Sequence, residues 1–188
     1  MEKRKREEET EKENKRKKLN EVQVIEKKKS MWSVFKKVEQ KKDGNCLFSS
    51  ILCQINDYKT IEEMRIAVSN FLADSGNWLL VRDCEGKQDK QKEYDYHVIN
   101  MKRMGVWAKD TEINAFAILL KRDIISFEVK DRNVVCMRGY SYTDESTQIL
   151  TPHGVDVDAM YKFYKEQNPI LLLWDADEKN HWDALLPK

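Results

Sequence analysis

No stretch of this chain stays apolar for long. The longest such run, Ala115 to Leu120, has six residues, against the ~20 that a membrane-spanning helix needs. The N-terminus carries Lys and Arg but no apolar segment behind them. The expectation is therefore a soluble protein without a secretory signal, cytoplasmic or nuclear, with no membrane partner. The four cysteines, at 46, 53, 84 and 136, form no CxxC pair. Neither a metal site nor a disulfide framework is expected from that spacing, and reduced thiols are the expected state. No motif in the sequence asks for a cofactor. Histidines number only three, so any base for nucleophilic chemistry comes from a short set.

Charge is plentiful but unevenly placed. Of 34 Lys/Arg and 33 Asp/Glu, twelve and eight fall in residues 1–30, which makes an arm of net +4 ahead of a body of net −3. Residues 1–30 read as a charged arm, helical or disordered, and 31–188 as one catalytic domain. The KRKR and KRKK blocks are the pattern of a nuclear import signal. Nucleic-acid binding is disfavoured, because glutamates interrupt the basic blocks and no aromatic residue is present to stack on bases.

Along the body the hydrophobic period changes. Trp32 and Phe35 are expected to dock the segment 31–38 onto the core. A helix from Cys46 to about Asn56 carries Leu47, Ile51, Leu52 and Ile55, with Cys53 on its buried face. Thr60 and Glu63 form a capping box for a second helix with Ile61, Met64, Val68, Phe71 and Leu72 on one side, ending at Ser75-Gly76. Residues 83–92 read as an exposed polar loop, 94–104 as a helix ending at Gly105. Asp110 or Thr111 is expected to cap a helix with Ile113, Phe116, Ala117 and Leu120. Strands are expected at 124–129, 133–137 and 147–150, a short helix at 156–164, a central strand at 169–174 because it has no polar face, and a last strand at 181–186. Helices first and strands later argue for an α+β fold, a small central β-sheet flanked by helices.

Chemistry concentrates at Asp43-Gly44-Asn45-Cys46-Leu47-Phe48. A thiol following a tight polar turn and opening a helix faces unpaired N–H groups and the positive end of the helix dipole, a setting expected to lower its pKa. His97 lies inside a helix and His153 in a Pro-Gly turn, whereas His181 opens a strand. Residues i and i+2 of a strand share a face, so Asp183 is placed to accept from one His181 nitrogen while the other serves the thiol. Asp43 reads as an anchor of the turn rather than a proton carrier. The loop N–H groups around Asp43, Gly44 and Asn45 suit an oxyanion hole, with Gly44 free to take positive φ.

Three segments resemble the ovarian-tumour (OTU) family of cysteine proteases: Asp43 to Phe48, the nucleophile motif; Gly105-Val106-Trp107-Ala108-Lys109-Asp110-Thr111-Glu112, similar to its Trp-Gly-x-x-x-Glu region; and His181-Trp182-Asp183-Ala184-Leu185, similar to its terminal strand. The resemblance spans about residues 40–186. It implies a papain-related fold, Cys46 as nucleophile, His181 as base and acid, Asp183 as the residue orienting it, and Asp43 in the oxyanion loop. It also implies Trp107 and Trp182 beside a channel for the Gly-Gly tail of ubiquitin. Ala108 stands where the family usually has Gly, and Trp182 where Tyr is commoner. The implied partner is ubiquitin or a polyubiquitin chain. The rival readings are a protease for a ubiquitin-like modifier and an inactive ubiquitin-binding module.

Overall fold

The computed structural model describes residues 30–74, 90–130, 133–142, 147–150, 157–175 and 181–188. Residues 1–29 of the arm, residues 83–89, Cys84, His153 and the turn at 177–180 lie outside the described residues, and Cys136 is described through its backbone alone. In chain order the elements are α1 (Met31–Val34), β1 (Phe35–Val38), α2 (Cys46–Leu52), α3 (Ile61–Ala73), α4 (Lys90–Met101), α5 (Asp110–Leu120), β2 (Ile124–Lys130), β3 (Asn133–Tyr140), β4 (Thr147–Leu150), α6 (Val157–Gln167), β5 (Ile170–Asp175) and β6 (Trp182–Pro187).

The strands form one sheet in the order β1-β6-β5-β2-β3-β4. β2 and β5 are parallel and every other pair is antiparallel. Alternation along the strands divides the core in two, as a sheet covered on both faces requires. Ile124, Tyr140, Ile170, Leu172 and Trp182 pack with α2, α3, α4 and α5. Ile125, Phe127, Val129, Leu171, Leu173 and Leu185 pack on the other face with Met31, Phe35 and the tyrosines of α6. The continuous apolar run 170–173 is buried throughout and central, as its composition demands.

Local chemistry explains most boundaries. Thr60 Oγ1 accepts from Glu63 N at 3.1 Å and Glu63 Oε2 accepts from Thr60 N at 3.3 Å, the reciprocal cap that starts α3. Elsewhere the sequence reading needs correction. α2 stops at Leu52, short of Asn56, so Cys53 falls off the buried face and is exposed, its Sγ turned back to Ser50 O. α3 ends at Ala73. α4 begins at Lys90, inside the stretch read as a loop, and ends at Met101 rather than at Gly105. α5 is capped at Lys109 and not by Asp110 or Thr111, because Glu112 Oε2 reaches back to accept from Lys109 N at 2.7 Å. The segment ahead of Cys46 carries β1, an edge strand that sequence pattern alone did not show. Phe35, 1% exposed, anchors β1 edge-on against Tyr161 and Tyr164. β1 covers β6, so the His-x-Asp strand lies inside the sheet.

Candidate active site

Cys46 opens α2 where that helix packs against the start of β6. Ser50 Oγ, one turn along, donates to Trp182 O at 3.1 Å, and the backbone N–H of Trp182 reaches the Cys46 thiol. The far end of α2 is tied to the sheet by Gln54, whose amide brackets Leu171: Oε1 accepts from Leu171 N at 3.0 Å and Nε2 donates to Leu171 O at 2.9 Å. Helix and strand ends are thereby locked together from both sides.

His181, 3% exposed, directly precedes Trp182. Its Nε2 lies 3.0 Å from Asp183 Oδ1, the i, i+2 contact expected of a strand. Its Nδ1 is buried with no partner among the described residues, which leaves one ring nitrogen open. Asp183 is 1% exposed; Gln40 N donates to its Oδ1 at 2.8 Å and Lys37 Nζ lies 3.3 Å from its Oδ2. A carboxylate so placed fixes the imidazole tautomer and balances the imidazolium that forms on proton transfer.

The turn before Cys46 is built to close limits. Asp43, exposed, accepts from Asn45 N at 2.9 Å, which is the turn-holding role expected of it. It makes no cap to α2. Gly44 sits at φ +80°, and a Cβ there would overlap the Gly105 carbonyl. Asn45 turns its side chain inward, and its Oδ1 accepts from Arg65 Nε at 3.1 Å, Arg65 Nη2 at 2.8 Å and Gly105 N at 3.0 Å. Because the Asn45 N–H is already committed to Asp43, it is closed to an oxyanion. The amide of Cys46 reaches the sulfur.

Arg65 is the residue that holds this turn. It is fully buried on α3 and donates to Gly44 O, Val106 O and Met101 O as well as to Asn45. Its guanidinium lies 4.1 Å from the centroid of the Phe48 ring. Burial lowers its pKa to about 10, with Glu112, Asp43 and Cys46 acting to raise it, so it remains a cation at neutral pH. Sequence reading passed over it, although the signal was there: 65 shares the helical stripe of 61, 68 and 72, where a cation is out of place. Lys37 and Gln40 carried no such signal.

The remaining candidates sort by position. Trp107 is 42% exposed. The Trp182 indole is 6% exposed and packs on Trp174 at 4.7 Å between centroids, so its backbone rather than its ring meets the thiol. Ala108 is buried, and His97 pairs with Glu112 at 2.7 Å, away from Cys46 and in a structural role.

One expectation about the thiol reverses. Burial pushes the Cys46 pKa above its ordinary 9.0, and Asp43 adds to the rise; the N–H groups of Trp182, Leu47 and Cys46 oppose it but do not prevail. α2 has seven residues, two turns of dipole, too little to offset a sulfur that is 1% exposed. Cys46 at rest is a neutral thiol, which would need a base before it could attack. Alkylation of Cys46 by iodoacetamide should accordingly rise through a midpoint above 9.0; a midpoint near 7 would instead show a preformed thiolate.

A thiol at a helix start, packed on a strand that carries a buried His-Asp pair, defines a cysteine peptidase. The family profile described as "OTU-like cysteine protease" matches residues 41–165, and the chain belongs to that family. The matched interval includes the Cys46 turn and ends before His181. No curated protein matches the sequence. Similar solved structures include the viral OTU domain protease from Qalyub virus (21% identity, 85% of this chain and 89% of that one, TM-score 0.57). An OTU deubiquitinase from Wolbachia pipientis wMel is also similar (14% identity, 81% and 88%, TM-score 0.61). So is the Hazara virus OTU, solved bound to ubiquitin (17% identity, 85% and 86%, TM-score 0.50). At these identities the likeness establishes the OTU fold.

Proposed function

We propose that this protein is a deubiquitinase that hydrolyses the isopeptide bond after the C-terminal Gly-Gly of ubiquitin. The observation that carries the reading is the buried His181–Asp183 pair, one imidazole nitrogen open, at the strand end against which Cys46 is packed. His181 Nδ1 takes the thiol proton as Cys46 Sγ attacks the glycine carbonyl. The oxyanion forms beside the Cys46 amide. His181 then returns the proton to the departing lysine amine, leaving a thioester, and water, deprotonated by the same imidazole, releases the ubiquitin carboxylate. Asp183 orients His181, and Asp43 anchors the oxyanion turn. Trp107, the exposed member of the aromatic pair, flanks the Gly-Gly tail. The solved Wolbachia and Hazara virus relatives bound to ubiquitin support ubiquitin as the substrate class. We place the activity in residues 31–188, with 1–30 as an appended charged arm.

A ubiquitin probe bearing a C-terminal electrophile tests this directly. It should label the full chain and a 31–188 truncation one-to-one, and leave Cys46→Ala unlabelled. Labelling of Cys46→Ala, or of Cys53 in the wild type, would overturn the assignment of the nucleophile. Labelling only by the equivalent probe of a ubiquitin-like modifier would replace ubiquitin as the substrate.

A further inference from the structure

The strand that covers β6 does more than close the sheet edge. Asp183 is an almost fully buried carboxylate with three partners, and only one of them, His181, is on its own strand. The other two come from β1 and the residues after it: the Gln40 backbone N–H at 2.8 Å on Oδ1 and Lys37 Nζ at 3.3 Å from Oδ2. Lys37 pairs across the ladder with Leu185, which puts its side chain diagonal to Asp183. Lys37 is partly exposed and its other oxygen partner is Glu39, at 3.3 Å. Residues 35–40 precede the family-matched interval, so the nucleophile motif does not bring them in.

We propose that Lys37, with the Gln40 amide, is a positioning residue of the hydrolytic centre: it holds the Asp183 carboxylate aimed at His181 Nε2, and so keeps Nδ1 as the nitrogen that accepts the thiol proton. This rests on the deubiquitinase reading for its kinetic consequence but not for its structural one. A buried carboxylate that loses the cation holding one of its oxygens is less firmly aimed at its remaining partners. An Asp183 turned from His181 is a poorer acceptor for the Nε2–H, and the tautomer with the proton on Nδ1 then becomes populated. The charged and titratable groups in contact with Asp183 among the described residues are His181 and Lys37, with Glu39 on the far side of the Lys37 ammonium. Lys37 is the one cation paired with Asp183 among the described residues.

The test compares Lys37→Met, Lys37→Gln and Lys37→Arg with the wild type, using a ubiquitin substrate. Lys37→Met and Lys37→Gln should lower kcat about tenfold at neutral pH with KM within about twofold. Lys37→Arg should keep kcat within about threefold. Imidazole nitrogen chemical shifts of His181, assigned against His181→Ala, read the same effect without ubiquitin: protonated Nε2 and bare Nδ1 in the wild type, a mixture in Lys37→Met. Unchanged His181 shifts together with an unchanged kcat, or a loss confined to KM, would overturn the positioning role. A shifted tautomer in a protein that cleaves no ubiquitin substrate would retain the positioning role and overturn the substrate instead. Phe35 anchors β1 independently of Lys37. Should Lys37→Met nonetheless unfold, Lys37→Gln, which keeps a donor without the charge, decides the matter by the same shifts.

Discussion

His181→Ala should reduce turnover of a ubiquitin substrate at least about a thousandfold at neutral pH, because it removes the base and the acid together. The reasoning runs through the thiol. Burial holds Cys46 above its ordinary value, so at neutral pH the sulfur carries its proton and cannot attack until something takes it. On the proposed mechanism that is the open nitrogen of His181. Without the imidazole the residual rate depends on spontaneous thiolate, whose fraction grows about tenfold per pH unit below the thiol's pKa. The defect should therefore narrow as pH rises. Affinity for ubiquitin, titrated in Cys46→Ala with and without His181→Ala, should differ by no more than about twofold. A large loss of affinity, or a defect of constant size from pH 6 to pH 9, would make His181 a structural residue.

The second large effect concerns stability. Arg65→Met should lower the unfolding free energy by about 3–5 kcal/mol, the range for removing one member of a buried, hydrogen-bonded charge network. In a chain of this size that is a fall of roughly 10 °C in Tm. The substitution keeps apolar volume but strips donors from Gly44 O, Val106 O, Met101 O and Asn45 Oδ1, each of which is then buried with less than it needs. It also frees the turn that sets Cys46, so labelling by the ubiquitin probe should slow even where the protein remains folded. Arg65→Lys should recover little. One ammonium cannot reach carbonyls on three segments at once, whereas the planar guanidinium does. A Tm within about 2 °C of the wild type for Arg65→Met would show that the loop is held by Asn45 and Gly105 without it.

How far pattern alone reached depended on the range of the interaction. The Thr60–Glu63 cap, the apolar stripe of α3 and the buried strand 170–173 are written in neighbouring residues, and they formed as expected. The His181–Asp183 contact is also local, since a strand brings i and i+2 to one side. Failures came where a distant group intervened. Cys53 was placed on a buried face because helical spacing was carried past Leu52, where the backbone leaves the helix. The α5 cap went to Asp110 or Thr111 by residue preference, whereas Glu112 reaching back to Lys109 N sets it. β1 was missed because a four-residue edge strand with two lysines has almost no pattern of its own. It exists by pairing with β6.

The sequence by itself determined the candidate chemistry: a cysteine after a Gly-containing turn, one histidine suitably placed 135 residues later, and a carboxylate two positions beyond it. These are choices of residue type and short spacing, which the one-dimensional string carries. Tertiary structure alone decided the protonation of that chemistry. The expected thiolate became a buried thiol, because desolvation depends on what surrounds the sulfur on every side. Asn45 ceased to be an oxyanion donor because its N–H had been taken by Asp43. Two cations that no short-range pattern ties to it, Arg65 under the turn and Lys37 against Asp183, became its supports. Electrostatics and burial act through space, and folding is what places Lys37 against a carboxylate 146 positions away.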